Sequence, residues 1–379
     1  MKLILANYEY PPLGGGAGNA TASIARALAR QGHEVTVVTS AFEQLRGTQH
    51  VEPQLSILRL DCRRSHIDRS SYGEMLSYVW HAARALPQLA RASEADGLIV
   101  FFSLPCGPLG WLTRRRVGTP YVISLRGGDV PGAEARVGTI HRLLASLRRT
   151  VLRNATAVVA NSHGLARLSE RADPTPVKVI ANGVDTTFFS AAPTQPRSDA
   201  TVRFLFAGRF QPQKNLFMLL EQFALASKHS MTPVHLTMIG DGAQRAELAA
   251  HSRSLGIEGM IEWPGWLDKN GLRDAYRSAD VFLNPSLYEG MPNTVLEAMA
   301  CSLPVIASRV IGNDELVRHN ESGLLFDLAK PDALAAAMVE LAAQPERRAH
   351  MGDAARAIAS ANYSWDATAA QYAHLFSRG

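Results

Sequence analysis

Residues 2–40, KLILANYEYPPLGGGAGNATASIARALARQGHEVTVVTS, decide the fold. The apolar run 2–7 is strand-like, and the Pro- and Gly-rich stretch 11–18 breaks it. Residues 20–31 then set apolar side chains at helical spacing, ahead of Gly32, which suits a helix C-terminus. A second strand-like run follows at 34–39, so the stretch reads as one βαβ unit.

The same alternation continues outward. Strand-like runs at 97–102, 121–125, 157–160 and 178–180 are separated by helical patterns, as a parallel sheet with crossover helices requires. Residues 190–200, SAAPTQPRSDA, are polar with two Pro and read as a linker. The alternation then restarts at 203–207, 235–239, 260–263, 281–284 and 304–308. The expected class is α/β, with two Rossmann-like doubly wound domains: 1–190, a linker at 191–200, and 201–364, followed by a terminal helical segment at 365–379.

Composition narrows the function classes. The 379 residues are 46% hydrophobic and 19% charged, with 29 Gly and 20 Pro, which excludes disorder, collagen and coiled coil. The three Cys, at 62, 106 and 301, are far apart and odd in number, giving neither a disulfide framework nor a zinc pattern. The cytosol is therefore the expected compartment. The first seven residues are too short an apolar run for a signal peptide. The longest apolar stretch, 98–112, is interrupted by Pro105, Gly107, Pro108 and Gly110 and falls short of the ~20 residues of a membrane helix. Net charge is +5, yet residues 1–190 hold 22 Lys and Arg against 14 Asp and Glu, and the remainder 17 against 20. A nucleic-acid partner is set aside, because this basic half has no aromatic platform or recognised binding module.

Three elements carry chemistry. Gly14, Gly15, Gly16 and Gly18 lie between a strand and a helix, where missing side chains let backbone amides approach an anion. A nicotinamide dinucleotide would want an acidic residue at the end of the second strand, and that strand ends Val37-Val38-Thr39-Ser40 without one. In the second domain, Gly208 and Arg209 close the first strand and Lys214 precedes a helix, so two cations can converge on a diphosphate. The third element is Glu289-Gly290-Met291-Pro292-Asn293-Thr294-Val295-Leu296-Glu297. Its two carboxylates can reach one cleft, while the plain structural alternative is a capping box of Thr294 with Glu297.

Together these motifs resemble the large retaining GT-B family of nucleotide-sugar glycosyltransferases. The match extends over PPLGGG (11–16), VVANS (158–162), ANGVD (181–185), AGRFQPQKN (207–215), IGDG (239–242), EGMPNTVLEAMA (289–300) and YSWDATAAQYAHLF (363–376). The resemblance implies two domains facing a cleft, with the final helix returning to the first. It implies that Arg209 and Lys214 hold the donor diphosphate, that Glu289 contacts the donor sugar, and that Glu297 holds the ribose. Backbone amides of Gly290, Met291, Asn293 and Thr294 would face sugar and phosphate. Asp241 would line the same cleft, and Trp263 to Trp266 would pass the base. The implied reaction retains anomeric configuration and needs no cofactor beyond the nucleotide-sugar co-substrate. No Asp-x-Asp pair offers ligands for a metal-bridged diphosphate.

One departure stands out. Where many relatives carry a His, after the strand 121–125, this chain has Arg126, a permanent cation that donates hydrogen bonds but is no general base. Arg126 is thus expected to hold a donor phosphate or an anionic acceptor with Asp129 orienting it, or to form an ion pair that only ties the loop. Arg114, Arg115 and Arg116, with the amphipathic stretch 141–153, suggest contact with an anionic membrane surface at the inner face of the cell membrane. Expected partners are a nucleotide sugar and a sugar, lipid-linked or other hydroxyl acceptor, in polysaccharide, lipopolysaccharide or glycolipid synthesis. A nucleotide-sugar epimerase or phosphorylase on the same fold, or a non-catalytic binding scaffold, are the alternatives.

Overall fold

A computed structural model describes residues 1–67, 69–133, 138–191 and 200–377. The chain divides into two compact units, residues 1–182 with 365–379, and residues 183–364. The segment read as a linker falls at 192–199 outside the described residues. The division comes at Asn182 rather than at 190. Val184 bridges to Ser364, and Phe189 packs edge-on against Tyr276 at 5.9 Å, so residues 184–189 belong to the second unit.

The first unit holds strands β1 (Lys2–Ala6), β2 (Glu34–Ser40), β3 (Gly47–Glu52), β4 (Leu55–Leu60), β5 (Gly97–Phe101), β6 (Tyr121–Leu125), β7 (Ala157–Ala160) and β8 (Val177–Val179). Their order in the sheet is β3-β4-β2-β1-β5-β6-β7-β8, parallel except for the edge strand β3. Helices α1 (Gly16–Arg30), α2 (Tyr72–Ala92), α3 (Gly107–Val117), α4 (Gly138–Leu143), α5 (Ala145–Arg153) and α6 (His163–Ala172) follow the crossovers. The pair β3 and β4 was not read from the sequence. The residues of β3, GTQHVE, are mostly exposed and polar and carry no apolar alternation.

The second unit has β9 (Val202–Ala207), β10 (Val234–Ile239), β11 (Ile261–Gly265), β12 (Val281–Asn284), β13 (Val305–Ser308) and β14 (Gly323–Phe326), all parallel, in the order β11-β10-β9-β12-β13-β14. Its helices are α7 (Leu216–His229), α8 (Arg245–Ser254), α9 (Lys269–Ser278), α10 (Asn293–Ala300), α11 (Asn313–Leu316), α12 (Ala333–Ala343) and α13 (Pro345–Asn362). Both units are doubly wound Rossmann-like sheets, the expected fold class.

The last helix, α14 (Trp365–His374), is part of the first unit. Ala369, Tyr372 and Ala373 join the core formed by Ile24, Ala27 and Leu28 of α1. Small residues on both helices allow the close approach. Thr368 donates to the Ala181 carbonyl at 2.8 Å, and the Tyr372 hydroxyl bonds Ser124 at 2.7 Å. Beyond the helix, Phe376 covers Gly97, where a Cβ would stand 2.4 Å from the ring.

The stretch 141–153 is less open than its sequence suggests. Arg148 is buried against Asp173, with Nε 2.5 Å from Oδ2, and Arg149 takes the other oxygen at 3.0 Å. His141 is buried and bonds the Gly128 carbonyl at 3.0 Å. Removing one partner of a buried pair strands the other charge, at about 3–5 kcal/mol. Asp173→Ala is therefore expected to lower the unfolding free energy of the first unit by that amount, seen as a fall in its urea midpoint. Arg30→Ala, at the exposed pair with Asp366, should stay within about 1 kcal/mol of wild type. Equal midpoints for Asp173→Ala and wild type would show the buried pair to be idle.

Candidate functional site

In the second unit the strand order reverses direction between β9 and β12, one leading outward through β10 and β11, the other through β13 and β14. Loops after two such strands diverge, leaving a crevice at their carboxyl ends. The β9 loop brings Gly208, Arg209 and Lys214 there, and the β12 loop brings residues 285–292.

The two loops are stitched together. The Leu287 amide donates to the Gln213 carbonyl at 2.8 Å, and the Gln213 side chain donates to the Tyr288 carbonyl at 2.8 Å. Pro212–Lys214 form a short 3-10 turn closed by Asn215 at φ 56°. This turn presents Lys214, whose Nζ lies 2.5 Å from Glu289 Oε1. The side chains are only 16% and 8% exposed. The Ser286 hydroxyl lies 2.7 Å from both that carboxylate oxygen and Asn284 Oδ1. Asn284 donates to Asn313 Oδ1 at 2.9 Å, Asn313 donates to the Ser308 carbonyl at 3.0 Å, and Ser308 donates to the Ser286 carbonyl at 2.5 Å. All four of these residues are buried. A closed polar network of this kind fixes the carboxylate's position.

Glycines bring the surrounding backbones close. A Cβ on Gly240, at φ 125°, would stand 1.9 Å from the Gly208 carbonyl oxygen, and one on Gly312, at φ 87°, 2.5 Å from the Gly290 oxygen. The β10 loop can therefore pack on the β9 loop, and the β13 loop on the β12 loop, as they do only with no side chain at these positions. Asp241 is exposed, and its Oδ1 accepts the Gly242 amide at 2.7 Å. Trp263 packs edge-on against Phe210 at 5.8 Å beneath Arg245, while Trp266 is 52% exposed.

Helix α10 starts at Asn293 with Pro292 as N-cap, and no side chain caps it. The capping box of Thr294 and Glu297 does not form. Glu297 lies five residues into the helix and accepts instead from the Tyr276 hydroxyl at 3.0 Å. Burial pushes its carboxyl up to about 7, against the pull of the Tyr276 hydrogen bond and the Lys269 charge. Met291 is buried.

In the first unit, Gly14 at φ 84° would set a Cβ 2.6 Å from Glu9, and its amide bonds the Ile67 carbonyl at 2.7 Å. Gly15 is the N-cap of α1 and Gly16 its first residue, with no side-chain cap. Arg126 and Asp129 do not pair through the guanidinium. Asp129 instead accepts the backbone amides of Arg126 (2.9 Å), Gly127 (3.1 Å) and Ser103 (2.7 Å), which oppose the upward push of burial on its carboxyl. The Arg126 guanidinium turns to Asn182 Oδ1 at 2.7 Å and lies 4.8 Å from the Phe101 ring centroid. Its Nε is enclosed without a partner, and burial lowers its pKa.

Sequence reasoning missed the Asn284, Ser286, Ser308 and Asn313 network, although polar residues directly after an apolar strand were the visible signal. It also missed Arg59, which is 4% exposed and bonds the Pro11 carbonyl at 2.7 Å, and Arg64, whose terminal nitrogens are enclosed without partners. Both sit in an ordinary-looking basic run. Among the described residues no three His, Cys, Asp or Glu side chains converge as a metal site, and no helix is long and apolar enough to cross a membrane.

Residues 192–358 match the family model of glycosyl transferases group 1, and residues 15–183 that of a glycosyl transferase 4-like domain. Among curated relatives, D-inositol 3-phosphate glycosyltransferase 2 of Catenulispora acidiphila is 32% identical, over 72% of this chain and 68% of its own. The D-inositol 3-phosphate glycosyltransferase of Rhodococcus erythropolis is 32% identical over 69% of this chain, which spans 63% of that relative's length. Among solved structures, sucrose-phosphate synthase from Thermosynechococcus elongatus superposes with a TM-score of 0.86 at 21% identity, over 99% of this chain and 98% of that one. HepE of Anabaena, solved with UDP and glucose, superposes at 0.77 and 20% identity over the same shares. The chain belongs to the glycosyl transferases group 1 family and has the GT-B type of fold.

The raised Glu297 pKa has a sign. The ordinary value is 4.5 and the folded value about 7, so the folded chain holds the proton where the unfolded chain has lost it. Stability from this group is complete below about 4.5 and lost as pH rises through about 7. Glu297→Gln should remove that decline, read as the difference in urea midpoint between pH about 5 and about 8. Equal pH slopes in the two proteins would refute the assignment.

Proposed function

We propose that this protein is a retaining, metal-independent glycosyltransferase that moves a sugar from a nucleotide-sugar donor to an acceptor hydroxyl. The observation that carries the reading is the Lys214 ammonium fixed against Glu289 at the crevice of the second unit, on the loop that also carries Arg209 and ahead of the uncapped start of α10. An ammonium has three N–H donors. Lys214 can therefore keep Glu289 in place and still donate to a diphosphate oxygen.

In this reading Lys214 and Arg209 bind the diphosphate and stabilise the charge that develops as the bond from the anomeric carbon to phosphate oxygen breaks. Glu289 accepts hydrogen bonds from donor-sugar hydroxyls and Glu297 from the ribose. The acceptor oxygen bonds the anomeric carbon on the face the diphosphate leaves, and its proton passes to a phosphate oxygen of that leaving group. No protein nucleophile is needed. The relatives named for inositol phosphate transfer and the HepE structure with UDP support a UDP-sugar donor and a hydroxyl acceptor. Polysaccharide, lipopolysaccharide or glycolipid synthesis is the role we assign.

The test is titration calorimetry of UDP-, GDP-, ADP- and CMP-sugars against the wild type, Lys214→Ala and Glu297→Ala. One donor is expected to bind selectively. Loss of a charge-assisted hydrogen bond costs about 1.5–3 kcal/mol, so each variant should bind it roughly 10- to 100-fold more weakly. Folded wild type that binds no donor, or variants that bind as well as wild type, would overturn the reading. Sugar transfer that depends on added acceptor, with the anomer retained by NMR, separates a transferase from an epimerase, a phosphorylase or a scaffold.

A further inference from the structure

Helix α2 carries Tyr72, Leu76 and Trp80 at every fourth position, exposed by 60%, 65% and 62%. Residues four apart fall on one strip of a helix. The next step of the same spacing is Arg84, whose guanidinium lies 3.6 Å from the Trp80 ring centroid. Arg84 also lines a cavity of about 230 Å³ with Pro87, Gln88, Arg91, Arg116 and Val117.

The three arginines are held by backbone carbonyls. Arg84 donates to Trp80 at 3.0 Å, Arg91 to Arg116 at 3.4 Å and Arg116 to Ala83 at 3.5 Å. None of the three has a carboxylate partner among the described residues. The only acid in α2, Glu74, is occupied by the helix cap. Burial pushes its carboxyl up, but hydrogen bonds from the side chains and amides of Ser65 and Ser71 outweigh this and hold it at about 2. Arg114 and Arg115 add charge on the last turn of α3.

Three guanidinium groups around a small cavity suit a phosphate group. Exposed Trp, Tyr and Leu beside them suit the boundary between lipid headgroups and acyl chains. A free phosphate would use the arginines and leave the apolar strip bare, whereas an anionic bilayer uses both. We propose that the first unit docks on an anionic lipid surface through this face of α2, with headgroup phosphates at Arg84, Arg91 and Arg116 and with Tyr72, Leu76 and Trp80 at the acyl boundary. The inference stands apart from the sugar-transfer reading. It also moves the docking face from the 141–153 stretch, where Arg148 is buried and paired.

The experiment is co-sedimentation of the full chain with sucrose-loaded vesicles of phosphatidylcholine, alone or with phosphatidylglycerol, at low and high salt. Wild type is expected to bind the anionic vesicles, less so at high salt, and the neutral ones weakly. Each basic residue at a surface contributes roughly a fivefold factor, so R84Q/R91Q/R116Q should bind about 100-fold more weakly. L76Q/W80Q should lose at least about tenfold through apolar area. R149Q/R153Q should bind as wild type, and unchanged circular dichroism checks that every variant folds. The proposal is overturned if wild type ignores anionic vesicles, if it binds only inorganic phosphate or self-associates instead, or if the α5 variant alone loses binding.

Discussion

Glu289 is a carboxylate with almost no water around it, and its burial is tolerable only because Lys214 and Ser286 meet it at 2.5 and 2.7 Å. An unpaired charge in that position would cost several kcal/mol or change its protonation. Much of the second unit arranges this one contact. Lys214 has to leave β9 through a 3-10 turn, the β12 loop has to be tied to Gln213, and Asn284, Ser308 and Asn313 have to hold Ser286. The glycines at 240 and 312 then let the β10 loop lie against the β9 loop, and the β13 loop against the β12 loop, with no side chain between them. The crevice is thus defined by packing that exists before any ligand arrives.

The first unit solves a related problem differently. Arg126 stands at the carboxyl end of β6 with Asn182, the Tyr372 hydroxyl at 3.4 Å and the Phe101 ring as its neighbours, and its Nε is left without a partner. Asp129 does not neutralise it directly, being engaged by three backbone amides. A cation held by neutral groups keeps more of its field than one in a tight ion pair. That distinguishes Arg126 from Arg148, whose charge is met by Asp173 at 2.5 Å.

The alternation of strand and helix was legible because parallel strands buried on both faces read as apolar runs, as in β5, β6 and β12. What escaped was what pattern does not encode. The edge strand β3 has no buried face. The capping box of Thr294 and Glu297 has the right spacing, yet Tyr276, brought alongside from α9, captures Glu297, a contact 21 residues away in sequence. The Arg126 and Asp129 pair reads as an ion pair by charge alone, but the turn after β6 offers Asp129 nearer amide donors. Lys214 and Glu289 were recognised through motifs, although nothing in sequence told that they touch.

The first unit is assembled from two separate pieces of chain, with the whole of the second unit lying between them in sequence. Strands β1 to β8 precede the second unit along the chain, yet α14 and Phe376, which cover Gly97 and complete the core around α1, come only after it. The second unit, being contiguous, has all its residues available sooner. The core of the first unit therefore closes only once the whole intervening second unit has been made, and until then the face of α1 that α14 covers lacks its partner.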